Sequence, residues 1–416
     1  MTVLIAGGGI AGLSLGLTLH QIGVPFRVFE AAQKIQPMGV GINLQPNAVR
    51  ELLDLDLGDQ LDAIGVRTRQ YGFYSKLGKT IWEEPRGLWA GYAWPQYSVH
   101  RGALQMMLYD ALLDRAGPDC VITGARAVGF GTGTGATLLL DDGNRAEGQF
   151  LIGADGIHSS IRSQMYPDEG DPIWNGRVLW RATTRAPEYF GGAAMVMIGN
   201  DDLRIVAYPI SETGSDGLAT INWIAEKRFP LDATWKKEDW NRPADINDFL
   251  PDFSDWRFDW IDVSNLIRGA EVVYEYPMVD RDALPRWTRD RVTLIGDAAH
   301  PTYPVGSNGA SQAIIDARVI GAKFLEHGLS RQALQAYEDA IRPVTTGVGK
   351  ANRAGGGPDG VLQRVEDLCG GDFQAIDDVI PRSELAAHAE KYKSIAGFSI
   401  SELNARPRTI PQGASI

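Results

Sequence analysis

Cysteine is scarce in this 416-residue sequence: Cys120 and Cys369 stand far apart, without the close pairs of a disulfide framework or a zinc site. Free thiols and a reducing, cytoplasmic setting are therefore expected. The six histidines form no cluster with ligand spacing, so no metal centre is expected either. Uninterrupted apolar runs of membrane-spanning length are missing, which argues against a membrane helix. Residues 1–19 are apolar but lack a basic leading segment, so they do not read as a secretory signal. Basic residues are also in deficit. Lys and Arg number 40 against 52 Asp and Glu, a net charge of −12 that disfavours nucleic acid or an anionic membrane as partner. A local basic pocket for a small anion stays open. Internal repeats and low-complexity segments are absent, and 416 residues exceed the roughly 250–300 at which a single core stops growing. Two interlocked domains are expected.

Glycine, by contrast, is abundant where it matters. A strand over 3–6 runs into Gly7-Gly-Gly-Ile-Ala-Gly12, a helix over 13–22 stops at Gly23, and a second strand over 24–29 is closed by Glu30. In such a β-turn-α-β unit Gly7 makes the turn, Gly9 lets backbone approach a pyrophosphate, and Gly12 allows close helix packing. Ile10 and Ala11 complete the turn. Glu30 stands 18 residues after Gly12, where an acid accepts ribose hydroxyls and rejects a 2′-phosphate. The site suits FAD or NAD rather than NADP.

A second strand-loop-helix unit lies nearly 300 residues later, at 291–312. A strand over 292–295 ends at Gly296-Asp297, and Ala313, Ile314, Ala317 and Ile320 take up helical spacing after Gly309. At the carboxyl end of a strand, Asp297 can accept from ligand hydroxyls; a plain helix cap is the simpler alternative. The turn from Pro304 through Gly306 and Asn308 to Gly309 presents bare amides. With a helix dipole behind them they favour negative charge by ~0.3–1 kcal/mol at exposed sites. The pyrimidine ring of a reduced flavin carries such charge. Two distant segments wrapping one long cofactor is what FAD needs and NAD does not.

Between these units the readings are double. Gly41, in a glycine-rich stretch over 39–46, serves either a cofactor approach or a simple turn. Arg101 opens a helix over 102–113, where the dipole prefers acids, so it is held by a cofactor phosphate or flavin edge, or it is solvated. Asp155, in a strand-turn-helix over 150–162, belongs to a cofactor motif or merely caps its helix. From 174 to 278 alternating segments predict an antiparallel sheet, with a helical connection near 235–250. Trp180, Arg204, Tyr208 and Trp223 from that sheet, with Tyr303 and Pro304, are candidates for a pocket around a flat, possibly anionic ligand; core packing is the alternative for each aromatic. Beyond Gly355 a tail with a helix over 383–395 reads as a cover or an oligomer contact.

Together the motifs resemble the class A flavin-dependent aromatic hydroxylases of the para-hydroxybenzoate hydroxylase type, over nearly all of 1–350. Three ordered segments carry the likeness: Gly7 to Gly12 with Glu30, Gly153-Ala-Asp-Gly-Ile-His-Ser159 with Arg162, and Gly296-Asp297 through Pro304. Stretches 39–46, 95–101, 206–211, 276–282 and 306–312 are most similar to the phenazine-carboxylate monooxygenases within it. The resemblance implies an α/β fold: a Rossmann-type (GR2-like) FAD-binding domain with a parallel sheet from 1–75, 97–173 and 279–354. An antiparallel-sheet substrate domain from 76–96 and 174–278 is inserted into it, and 355–416 form a helical C-terminal cover. It also implies FAD on the Gly7–Gly12 turn, Glu30 on the adenosine ribose, Arg101 beside the flavin, Asp155 in a motif shared with NAD(P)H, and Asp297 on the ribityl chain. NADH or NADPH is the implied transient electron donor, O2 the co-substrate, and a small aromatic or N-heteroaromatic molecule the substrate. In that chemistry a flavin C4a-hydroperoxide transfers oxygen, with or without loss of a carboxylate, in a monomer or homodimer. His300 and Asp297 fit flavin contact better than a metal or acid-base pair. Many relatives carry glutamine after Pro304, where this chain has Ser307-Asn308. A reductase or an aromatic-sensing flavoprotein on the same scaffold is the rival reading; a halogenase lacks its Trp-x-Trp-x-Ile-Pro.

Overall fold

Short, fully apolar runs such as Val-Leu-Ile-Ala at Val3–Ala6 can be satisfied only in a sheet covered on both faces, and that is where they lie. A computed structural model describes residues 2–233 and 242–416. Its parallel sheet has the order Val292–Leu294, Phe150–Gly153, Val3–Ala6, Phe26–Glu30 and Val121–Thr123. Helices Ile10–Gln21 and Gly309–His327 pack against each other, with room at the contact only for glycine: a Cβ on Gly321 would stand 2.4 Å from Thr18 Cγ2.

The second sheet has eight strands, in the order Arg242–Pro243, Tyr274–Asp280, Ile173–Pro187, Leu218–Arg228, Leu203–Pro209, Ala194–Gly199, Gln70–Tyr74 and Thr80–Pro85. Its pairings are antiparallel except where Ala194–Gly199 meets Gln70–Tyr74 in parallel. Gln70–Tyr74, expected with the first unit as part of 1–75, therefore belongs to this sheet: Tyr71 and Phe73 bury on one face and Tyr74 on the other. The helical connection expected near 235–250 falls over 234–241 outside the described residues. From 242 onward the chain forms a two-residue strand and single turns of 3-10 helix instead.

Period-two alternation gives this sheet two distinct faces. Val178, Trp180, Ala182, Ile205, Ala207, Trp223 and Ala225 pack outward, against Phe249, Phe253 and Leu266. Leu179, Met195, Val206, Tyr208, Ile224 and Met278 pack inward, toward Tyr303 and the tail residues Val361, Leu362, Val365 and Leu385. The tail is helical, with segments Gly360–Cys369, Arg382–Ile395 and Ile400–Ala405, and it closes one end of the inward face.

Candidate active site

At the first turn the three fingerprint glycines meet three different surroundings. Gly7 has φ +108°, and a Cβ there would lie 2.3 Å from the Ala154 carbonyl oxygen; on Gly12 it would lie 1.9 Å from the Gly7 oxygen. On Gly9 it would meet nothing within 4 Å. Close packing therefore explains Gly7 and Gly12, while Gly9 borders open space. Helix Ile10–Gln21 begins there with no side-chain cap and no acid in its first turn, so the amides around Ile10 and Ala11 are available to an anion. Glu30 accepts from the amides of Gly8 and Ala32, both at 2.7 Å, which fixes its carboxylate beside the turn. Gln105, which sequence reasoning passed over, donates to the Gly8 carbonyl at 2.9 Å.

The second unit meets the first: a Cβ on Gly296 would lie 3.0 Å from Ala11 Cβ. Asp297 is exposed at the end of its strand, yet protein crowds it densely enough that desolvation raises its carboxyl, against the pull of His300 and Arg101. Arg101 and Pro304 are likewise exposed. The turn carrying Asp297 is held from behind. Asp316 accepts from the Gly296 amide at 2.7 Å and pairs with His300 Nε2 at 2.6 Å, while Arg162 donates to the carbonyls of Ala298 and Ala299. His300 thus has Asp316 as its partner, not Asp297. Burial disfavours its imidazolium, but the Asp316 carboxylate outweighs burial and raises its pKa. A buried aspartate two turns into an apolar helix was the available signal for Asp316.

Other expected residues are placed by contacts of their own. Asp155 accepts from the Ser160 amide at 2.8 Å and from the Ser159 hydroxyl at 2.5 Å, so its hydrogen bonds express the capping reading. The Gly41 amide donates to Asn222 Oδ1 at 2.6 Å and its carbonyl accepts from Arg181 at 2.9 Å. That is where the first unit docks on the inward sheet face; a Cβ there would be 2.6 Å from Asn222. Gly306 has φ +75°, and Asn308 is buried with its amide on the Tyr392 hydroxyl at 2.7 Å. Gly309 starts its helix without a side-chain cap and, like Gly9, faces open space.

Three pocket candidates require correction. Trp180 stacks on Phe249 with ring centroids 4.5 Å apart and donates to Glu275, and Trp223 donates to Thr184 at 3.0 Å, both on the outward face. Strand parity put them on the wrong side, since neighbouring residues point to opposite faces. Arg204 does face inward, but it is 2% exposed and spends its guanidinium on Glu226 (2.6 Å) and Asp359 (2.5 Å). Tyr208 is inward and buried; burial pushes its phenol up to about 12, against Arg181. Tyr303 packs on the same face, and its neighbour Pro304 is exposed. Arg181, one of the arginines of the sheet, also faces inward, as do Asn222 and Tyr276, which the sequence did not single out for the pocket; each lies at the parity opposite to a core neighbour.

Open amides at Gly9 and Gly309, an acid at each unit and the exposed Arg101 fit an elongated cofactor carrying ribose, pyrophosphate and a ring that gains negative charge. The family model for the FAD binding domain matches residues 1–351. The chain is 42% identical over 362 residues to phenazine 1,6-dicarboxylic acid hydroxylase PhzS of Lysobacter antibioticus, covering 84% of this chain and 89% of that one. The chain belongs to the FAD-dependent aromatic hydroxylases. This hydroxylase is also 30% identical over 395 residues to 3-amino-4-hydroxybenzoate 2-monooxygenase PtmB3 of Streptomyces platensis, covering 90% and 94% of the two chains. Its fold is shared with Klebsiella pneumoniae HpxO in complex with FAD and uric acid, at a TM-score of 0.74 and 23% identity over 99% and 98% of the chains. Among the described residues of the hydroxylase, no helix is long and apolar enough to cross a membrane.

Proposed function

We propose that this hydroxylase inserts one atom of O2 into a small aromatic or N-heteroaromatic acid, with NADH or NADPH as electron donor. Bound FAD would take the electrons from the nicotinamide and activate O2. The chain's own residues bind, orient and exclude water. The Gly9 turn and Glu30 would hold the adenosine and pyrophosphate, Asp297 the ribityl hydroxyls, and Arg101 with the amides before Gly309 the ring edge that becomes negative.

The observation that carries this reading is the meeting of the two units. Asp297, Arg101 and Pro304 are exposed, Arg101 acts electrostatically on both Asp297 and Tyr276, and Tyr276, under the Arg181 guanidinium at 5.6 Å, belongs to the inward sheet face that Gly41 meets through Asn222 and Arg181. An aromatic ring held between that face and the flavin needs no protein nucleophile. Orientation alone supplies up to ~7–11 kcal/mol of the barrier. The chemistry of the two named relatives, each acting on an aromatic acid, supports the substrate class. Loss of the carboxylate during hydroxylation is the finer variant. Turnover under 18O2 tests the proposal: product heavier by one labelled oxygen supports insertion, and an exchange of CO2 for labelled hydroxyl identifies the decarboxylating form. Aromatic-independent reduction without label would point instead to a reductase.

A further inference from the structure

His100 ends strand Gln96–His100 and caps the helix that follows, Arg101–Ala116: its Nδ1 accepts from the Ala103 amide at 3.3 Å. A ring nitrogen that accepts carries no proton, so this cap exists only while the imidazole is neutral. The ring is half-buried. Burial lowers its pKa below the usual 6.5, with Arg101 adding to the effect, against a hydrogen bond with the Gly39 backbone that raises it.

Around the ring the chain folds closely on itself. His100 pairs with Gly41 across the antiparallel ladder, and the Arg101 amide donates to the Val40 carbonyl at 2.9 Å. A Cβ on Gly102 would lie 2.5 Å from the Met38 backbone nitrogen, and one on Gly39, at φ +102°, would lie 3.5 Å from Arg101 Cδ. Residues 37–41 therefore wrap the start of the helix, and the Arg101 side chain runs along the Gly39 turn. On its other side the turn is tied to the inward sheet face, where Gly41 meets Asn222 and Arg181. One joint connects Arg101 to the substrate sheet.

Charge in this joint is sparse. From Ile35 to Val49 no side chain is ionisable. The helix start contributes Arg101, the sheet contributes Arg181, and Asp297 of the second unit interacts electrostatically with Arg101. Of the groups in the turn and the helix start, only His100 ordinarily changes charge near neutrality. Its protonation would point a ring N–H at the Ala103 N–H. It would also set a positive charge at a helix N-terminus and beside Arg101, and both are unfavourable.

We propose that His100 is a positioning residue: its neutral ring latches the 37–41 turn onto the helix start and so holds Arg101 at the flavin's ring edge, and its protonation opens the latch. The inference rests on the FAD placement proposed above and adds what keeps Arg101 in place. The latch is complete above the usual histidine pKa of 6.5 and is lost as pH falls through the lowered folded value.

The test compares the native chain with His100→Asn, which caps a helix but does not titrate, and with His100→Ala, which does not cap. Amide hydrogen exchange at Ala103 in the FAD-loaded enzyme and the FAD dissociation constant from flavin fluorescence are followed from about pH 8 down to about pH 5. At the alkaline end native and His100→Asn match, while His100→Ala exchanges faster and holds FAD roughly five- to tenfold more weakly. Toward the acid end the native chain approaches His100→Ala, and His100→Asn stays ahead of both. Parallel pH curves for native and His100→Asn overturn the latch, and that comparison stands even where His100→Ala does not accumulate. Native-like exchange and affinity in His100→Ala at the alkaline end overturn it too. Turnover of aromatic acids separates the two levels: hydroxylation with parallel curves defeats the latch alone. Diverging curves in an enzyme that hydroxylates no aromatic support the latch and defeat the functional reading alone.

Discussion

The hydroxyl of Tyr392, on the tail, lies 2.7 Å from Asn308 Nδ2, at the start of helix Gly309–His327. The same hydroxyl donates to the Val305 carbonyl at 3.1 Å. One phenol from the last 30 residues therefore ties down the loop that follows Pro304. In Tyr392→Phe the buried Asn308 amide loses its partner, and we expect a loss of ~1–3 kcal/mol in unfolding free energy. Because that loop is proposed to meet the flavin's ring edge, more NAD(P)H should be oxidised per product formed. Denaturant unfolding and the ratio of product to NAD(P)H consumed measure the two effects. Unchanged stability and coupling would remove the strut.

Gly9 and Gly12 separate cofactor contact from packing. Gly9→Ala meets open space at φ −78° and should fold with near-native stability, but hold FAD ~10-fold or more weakly, as its methyl intrudes on the pyrophosphate. Gly12→Ala would press a methyl against the Gly7 oxygen and should fail to accumulate as folded protein. Flavin content and thermal melting of the two variants decide it. Full FAD affinity in Gly9→Ala would contradict the assignment.

Arg204→Ala distinguishes structure from substrate recognition. Removing the guanidinium strands two carboxylates, Glu226 and Asp359, in a buried site, and breaking such a pair costs about 3–5 kcal/mol. The expected result is a fall in melting temperature and in the yield of active enzyme, with KM for an aromatic acid unchanged in the fraction that folds. A raised KM at native stability would return Arg204 to the pocket.

His300 makes stability depend on pH. Its folded-state pKa is raised above 6.5 by Asp316 in spite of burial. Its stabilising contribution is therefore complete below about pH 6.5 and is lost as pH rises through the raised folded value. Melting curves across that window should fall more steeply for the native chain than for His300→Gln. Equal slopes would show that the pair does not titrate there.

The two glycine-bearing turns proposed to hold the cofactor were legible as turns in the sequence because each feature there is local. Gly7, Gly12 and Glu30 follow from one β-turn-α-β unit, and Asp297 from a strand end. The substrate half was less so, because it depends on parity and on distant partners. Trp180 and Trp223 differ from the inward Arg181 and Asn222 by a single residue, and only the strand register decides which side faces inward. One of the two partners of Arg204 is Asp359, 155 residues along the chain, in a tail whose docking no local pattern announces. Tyr392 was hidden for the same reason. Gln70–Tyr74 was misplaced because a parallel partner, Ala194–Gly199, lies more than 100 residues away.

The measurement that bears most directly on the whole account is simultaneous recording of NAD(P)H oxidation, O2 uptake and product mass by the FAD-loaded enzyme, with and without a panel of aromatic and N-heteroaromatic acids. The account predicts that an acid stimulates both consumptions together and emerges with one added oxygen, or with hydroxyl in place of its carboxylate. NAD(P)H oxidation that ignores every aromatic and leaves all of them unmodified would contradict it.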